Sequence, residues 1–212
     1  MNETALRERI CLMAKSLYDR GLAHGSTGNI SARCEDGGLL VTPTNSSFGF
    51  LDPNDLSRFD ASGHQTGGLK PTKELSLHTA FYETRATETG AVVHLHSHYS
   101  VALSLMQDND EDDLIKPLTP YPVMKLGKVK LLPYFRPGDP AMGEAVRNLG
   151  GERSAVVLAN HGPVVAASDI MSAVFAMEEL EAAARLALET HGQSVRMLNA
   201  SQVRSLVEPF SS

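Results

Sequence analysis

Residues 154–167 read SAVVLANHGPVVAA, and these two apolar runs decide the fold class. Ser154 to Asn160 and Val164 to Ala167 form an apolar strand pair around His161-Gly162-Pro163. A connection this short joins antiparallel neighbours, because parallel strands need a crossover of a dozen residues or more. A second hairpin follows from Asp36-Gly37-Gly38, which links a strand-like run at 30–33 to Leu39-Leu40-Val41-Thr42. Two hairpins argue against an all-parallel sheet.

The elements on either side of 154–167 complete an α/β pattern. Downstream, Ser168 or Asp169 caps an Ala/Glu/Leu-rich helix running to about residue 190. Upstream, Asp139-Pro140 supplies an N-cap and N1 proline for a helix that stops at Gly150-Gly151. Residues 129–134 read as a strand. So do residues 91–96, followed by a helix from near Ser97 or His98 to about Met106. Pro71-Thr72-Lys73-Glu74 opens a helix to about residue 87, with Glu74 in its first turn. Leu6, Ile10, Met13 and Leu17 carry helical spacing, and Gly21 is the stop. A short strand is expected near 56–59. Residues 43–53, 61–70 and 107–122 read as loops or turns. The pattern of roughly seven strands and four or five helices, without repeat or linker, predicts one α/β domain over 1–212 with helices covering a sheet.

Composition narrows the function. The 212 residues carry a formal net charge of −6, which argues against a nucleic-acid partner. No apolar run is long enough to span a membrane, and the charged N-terminus lacks a signal-peptide core. Cys11 and Cys34 are too few for a disulfide framework, so a reduced, cytoplasmic setting is the expectation.

Eight histidines are present, three of them within 94–98. His94 and His96 are two apart on a strand, so both imidazoles project from one face and can reach one ion. Hydrogen-bonded strand-end histidines would give the same pattern. His161 follows another apolar strand and is the best third ligand, and Gly162 beside it permits a close approach. Three imidazoles and an open position make a catalytic-type site whose ion acts as a Lewis acid. Three histidines alone admit manganese, cobalt or iron as well as zinc. His98 reads as helix start or outer support. His24, His64, His78 and His191 have no partner spacing and read as surface or core residues.

Glu74 suits a helix N-terminus on dipole grounds alone. That same terminus, with the Thr72 hydroxyl and the Lys73 charge, is also an anion site. Gly28-Asn29 and Thr44-Asn45 are two further loops of small hydrogen-bonding residues, for which ordinary turn chemistry is the competing explanation.

Five ordered motifs resemble the class II aldolase/adducin family across residues 5–190. They are Gly25-Ser26-Thr27-Gly28-Asn29-Ile30-Ser31, Thr42-Pro43-Thr44, Pro71-Thr72-Lys73-Glu74, Val92-Val93-His94-Leu95-His96 and Asn160-His161-Gly162. The resemblance implies a three-layer α/β/α fold around a largely antiparallel sheet. It implies a homotetramer with active sites between subunits, and zinc on His94, His96 and His161. Glu74 would be the acid/base and a metal ligand when no substrate is bound. Gly28, Asn29, Thr44, Asn45, Thr72 and Lys73 would bind the substrate and its phosphate. Tyr121 would match the tyrosine lent to a neighbour's site.

Lys70-Pro71-Thr72-Lys73-Glu74, Thr119-Pro120-Tyr121 and the stretches 134–139 and 159–165 are most similar to the branch that decarboxylates 3-oxo-tetronate 4-phosphates. That branch implies loss of CO2 through a metal-stabilised enediolate, giving dihydroxyacetone phosphate. Such a substrate needs extra cations, for which Lys73 and Arg136 are the candidates. Lys73 stands where the fuculose aldolase has a serine, and Asn45 where it has a glycine. A fuculose-1-phosphate-type aldolase and a pentulose-5-phosphate 4-epimerase are the alternative activities. A non-catalytic scaffold like the adducin head is the alternative class, although it would be expected to lack the histidine set.

Overall fold

The computed structural model describes residues 1–208, so the last four positions of the expected 1–212 domain lie outside the described residues. The runs within 154–167 pair as antiparallel β7 (Ala155–Leu158) and β8 (Gly162–Ala167), with Leu158 opposite Gly162. The first hairpin forms too, as β1 (Asn29–Arg33) and β2 (Leu39–Val41). With β3 (Ser57–Phe59), β4 (Gln65–Gly67), β5 (Ala91–His94) and β6 (Lys130–Leu132), they make one sheet in the order β4-β3-β2-β1-β5-β8-β7-β6. Every adjacent pair is antiparallel except β6–β7.

Side-chain alternation along the central strands sorts the core into two layers. Val92, Val156, Leu158, Val164 and Ala166 face α2 (Leu75–Thr84) and α5 (Ala141–Arg147), where Leu77, Phe81, Met142 and Val146 meet them. Ala91, Val93, Ala155, Val157 and Val165 face the other way. They pack in one cluster with Leu6, Ile10 and Leu17 of α1 (Glu3–Asp19), Leu103 of α3 (His98–Ser104) and Val174, Met177 and Leu180 of α6 (Ile170–Glu189). The result is three layers, helix–sheet–helix. Each fully buried large apolar side chain contributes about 1.5–3 kcal/mol. No helix among the described residues is long and apolar enough to cross a membrane.

Several expectations need correction. The helix read from residue 71 begins at Leu75 and ends at Thr84, not 87. Pro71 is instead drawn into a bridge with Pro43, and Thr72 N–H donates to Thr42 O, so this stretch pairs with the chain just beyond the end of β2. Glu74 is therefore the N-cap residue rather than part of the first turn. The loop read over 107–122 holds through Thr119 and ends where α4 (Pro120–Leu126) begins, whose N-terminal proline needs no amide partner. Residues 61–70 contain β4, and 43–53 contains a 3₁₀ turn at Phe48–Phe50, so the described residues hold eight strands against the roughly seven expected. A seventh helix, α7 (Ala200–Val207), starts with a capping box between Asn199 and Gln202. On α1 the fully buried stripe includes Ala14, while Met13 is only partly covered.

Candidate metal centre

Four side chains converge where β5 ends beside the β7–β8 turn. One potential ligand atom from each of Glu74, His94, His96 and His161 lies within 4.8 Å of all the others. His94 is the last residue of β5, and His96 follows in the extended link to α3. His161 occupies the β7–β8 turn, just after Asn160, which has φ 60°. The His161 and His96 Nε2 atoms are 3.1 Å apart. Glu74 Oε2 lies 3.5 Å from His94 Nε2, and Oε1 lies 3.4 Å from His161 Nε2.

Gly162 makes this meeting possible. A Cβ there would lie 2.1 Å from Leu95 O, so only glycine lets the turn close on the 95–96 backbone. Gly28 (φ 85°) does likewise on the other side, where a Cβ would sit 3.0 Å from His94 O.

The donor chemistry fits a metal ion. His94 Nδ1–H donates to Pro163 O at 2.8 Å, which leaves its Nε2 lone pair aimed into the cluster. That buried Nε2 has no hydrogen-bond partner. A stranded lone pair is costly in a dry interior and is satisfied by a cation. Burial pushes His94 down to about 3 and His96 to about 4, and it lowers His161 as well. All three imidazoles are thus neutral at neutral pH, the form a metal requires. Burial alone would raise the Glu74 carboxyl. Attraction to whichever of the His94, His161 and His96 rings carries a proton, together with the hydrogen bond from Asn29, outweighs burial and holds the group below its ordinary value.

The expected anion loops lie around Glu74. Asn29 Nδ2 donates to Glu74 Oε2 at 2.8 Å, and Glu74 N–H donates to the Thr72 hydroxyl at 3.2 Å. Thr44 N–H donates to Lys70 O, which ties the 42–45 loop to the 70–74 stretch. Asn45 is exposed at φ 59°. Lys73 and Arg136, distant in sequence, line one open cavity of about 380 Å³ with Gly138. A second cavity, of about 430 Å³, is bordered by His24, His96, His98 and His161. His98 itself is exposed at the start of α3. Tyr121 lies on α4, 59% exposed, and is not part of the cluster.

Sequence reasoning missed His78, which is fully buried behind Asn29 with its Nε2 against Asn29 Oδ1. It also missed Glu181 of α6, a buried carboxylate bound to the start of α3. A polar residue on the buried stripe of an apolar helix was the available signal for both.

Residues 8–188 match the family model of the Class II Aldolase and Adducin N-terminal domain. The chain is 44% identical over 204 residues to the 3-oxo-tetronate 4-phosphate decarboxylase of Escherichia coli K12, covering 96% of each chain. It is 37% identical over 179 residues to an L-fuculose phosphate aldolase of Methanococcus maripaludis, covering 84% of this chain and 92% of the relative. Among solved structures, YgbL of Klebsiella pneumoniae superposes with a TM-score of 0.93. That pair shares 43% identity and covers 97% of this chain and 99% of the other.

Proposed function

The chain belongs to the class II aldolase and adducin family, and from that premise we propose that it is a carboxy-lyase converting a 3-oxo-tetronate 4-phosphate to dihydroxyacetone phosphate and CO2. The observation that carries the reading is 44% identity with a decarboxylase over 96% of both chains. The aldolase alternative rests on lower identity over less of this chain.

His94, His96 and His161 would hold one divalent ion, zinc in this reading, with Glu74 as a further ligand before substrate arrives. When bound, the ion supplies a Lewis acid for negative charge growing on the substrate's C3 oxygen as CO2 leaves. The balance of the reaction is one bond broken, C1–C2, and one formed, C2–H, with one proton consumed. Glu74 is the group for that proton. Its carboxylate rests ionised and buried, so it takes up a proton during turnover and delivers it to carbon 2.

Lys73 and Arg136 bring two cations to one cavity and oppose the chain's net negative field, which is unfavourable to an anionic substrate. Gly28, Asn29, Thr44, Asn45 and Thr72 complete the phosphate cradle. The working form is a homotetramer of this one domain in the cytoplasm, in which exposed Tyr121 serves a neighbouring subunit's site.

Zinc-loaded protein given both C2 epimers of the 3-oxo acid phosphate tests the proposal. Dihydroxyacetone phosphate is read by coupled NADH oxidation, and CO2 is trapped in parallel. Equal yields of the two products, abolished by a chelator, are expected. Turnover in D2O should place one deuterium on the carbinol carbon of the product. No turnover, alongside cleavage of fuculose 1-phosphate, overturns the proposal in favour of the aldolase.

A further inference from the structure

Four polar side chains stand in line behind Glu74, between the sheet and α2. Asn29 and Ser31 are two apart on β1 and share a face. His78 and Tyr82 are four apart on α2, one and two turns beyond Glu74, so the three share a stripe. The stripe meets the strand face through consecutive contacts. Glu74 Oε2 lies 2.8 Å from Asn29 Nδ2, and Asn29 Oδ1 meets His78 Nε2. His78 Nδ1 lies 2.8 Å from Ser31 Oγ, and Ser31 Oγ lies 2.9 Å from Tyr82 OH. All five residues are buried.

Donor and acceptor bookkeeping gives this line a direction. A carboxylate only accepts, so the Asn29 amide nitrogen faces Glu74 and its carbonyl faces His78. A carbonyl also only accepts, so the His78 proton is on Nε2. Burial pushes the His78 ring down to about 3, which keeps it neutral with a lone pair on Nδ1. Ser31 must then donate its one hydrogen to Nδ1, and it accepts from Tyr82. Every hydrogen bond in the line therefore points toward Glu74. Neighbours of His78 such as Leu77, Phe81 and Val92 show that an apolar side chain would suit this layer. An imidazole here carries a desolvation cost that only a complete network offsets.

We infer that His78 is a positioning residue. Through the one-way line Tyr82–Ser31–His78–Asn29, it locks the Asn29 amide with N–H toward Oε2 and so fixes the Glu74 carboxylate for proton transfer. This rests on the proposed role of Glu74. His78 touches neither the histidine cluster nor any space open to substrate, and it acts only through Asn29.

The first test needs no turnover. In zinc-loaded protein labelled with ¹⁵N-histidine at pH 7, His78 should report the neutral Nε2–H tautomer. The Nδ1–H tautomer or an imidazolium overturns the inference.

The second test is kinetic. His78→Leu should lower kcat about 10- to 100-fold, the usual scale for outer supports, with KM and zinc stoichiometry retained. His78→Gln, whose amide nitrogen can reach the Nε2 position, should recover most of the loss. Wild-type kcat in a folded His78→Leu protein, or equal losses in both variants, overturns the positioning role. Should His78→Leu not fold, Ser31→Ala removes a single hydroxyl; the Asn29 carbonyl still holds the proton on Nε2, and the slackened ring should lower kcat about 3- to 10-fold. Loss of the Nε2–H tautomer or an unchanged kcat in that variant refutes the inference. Glu74→Gln separates the two claims: full activity there sinks the acid/base assignment, whereas an inactive Glu74→Gln beside a fully active His78→Leu sinks only the line behind it.

Discussion

Replacing Glu181 by glutamine should destabilise the protein although it changes one atom. Glu181 reaches from α6 to the start of α3, where Ser97, the N-cap residue, makes no side-chain capping bond of its own. Its Oε2 accepts from Ser97 Oγ (2.8 Å), Ser100 N–H (2.9 Å) and Ser100 Oγ (2.6 Å), and its Oε1 accepts from Tyr99 N–H (2.7 Å). The side chain is 8% exposed, so water cannot replace these partners. In Glu181→Gln the remaining oxygen keeps the three Oε2 donors best, which turns the new NH2 against Tyr99 N–H. One charge-assisted bond is lost, worth about 1.5–3 kcal/mol, and three others weaken to neutral strength. A neutral amide is also cheaper to bury than a carboxylate, which offsets much of this, and the net is about 2–4 kcal/mol of stability. For a chain of this length each kcal/mol moves Tm by about 2–4 °C, so a fall of roughly 5–15 °C is expected. Circular-dichroism melts of the metal-free proteins measure it. The affected segment also carries His96, so if the proposed centre is right, divalent-metal affinity by competition with a chelator dye should fall about tenfold. A Tm within 1 °C of wild type, with unchanged metal affinity, would refute the account of this carboxylate.

Other substitutions and conditions probe different parts of the site. Gly162→Ala forces a Cβ against Leu95 O, so it should cost about 1–3 kcal/mol and lower the divalent-metal content proposed for the cluster, read by elemental analysis beside wild type; metal content equal to wild type would contradict the close-approach argument. His78 and His94 are held near 3 in the folded chain against about 6.5 unfolded, so unfolding takes up protons as the pH falls between those values. Metal-free stability from urea titrations should be greatest above pH 6.5. It should decline by about 1.4 kcal/mol per pH unit for each of the two rings toward pH 3, and a flat profile would show that they are not buried neutral. Lys73 is exposed, so Lys73→Met should leave stability within about 0.5 kcal/mol of wild type. It should also raise KM about tenfold with kcat retained, the signature of lost uniform binding, and an unchanged KM would remove Lys73 from the anion site.

Much of the architecture was legible because burial imposes periodicity. The apolar runs at 91–94, 155–158 and 162–167 could only be buried strands, and the stripe through Leu6, Ile10 and Leu17 could only be a helix face. Elements without that imprint escaped. β4 is fully exposed Gln-Thr-Gly, and α4 holds two prolines in its first turn, where they read as breakers although that is where helices tolerate them. The histidine cluster announced itself through residue type and spacing. The line behind Glu74 did not, because its spacing is split between a strand and a helix, and no motif joins Ser31 to His78. Glu181 was hidden for the same reason: its partners are more than 80 positions away.

The order of the sheet bears on how the molecule is built in time. Strands β1 to β5 occupy one side of it and β6 to β8 the other, and among the described residues the only strand pairing between these halves is β5–β8, with α2–α5 and α3–α6 packing across the same seam. Glu74, His94 and His96 belong to the first half and His161 to the second, with His96 and His161 65 positions apart. The ion site therefore does not exist until the two halves have docked, and loop closure over that span must come first. An ion held by all four side chains would tie the seam together as a rivet, and its expected kinetic mark is slower unfolding rather than faster folding.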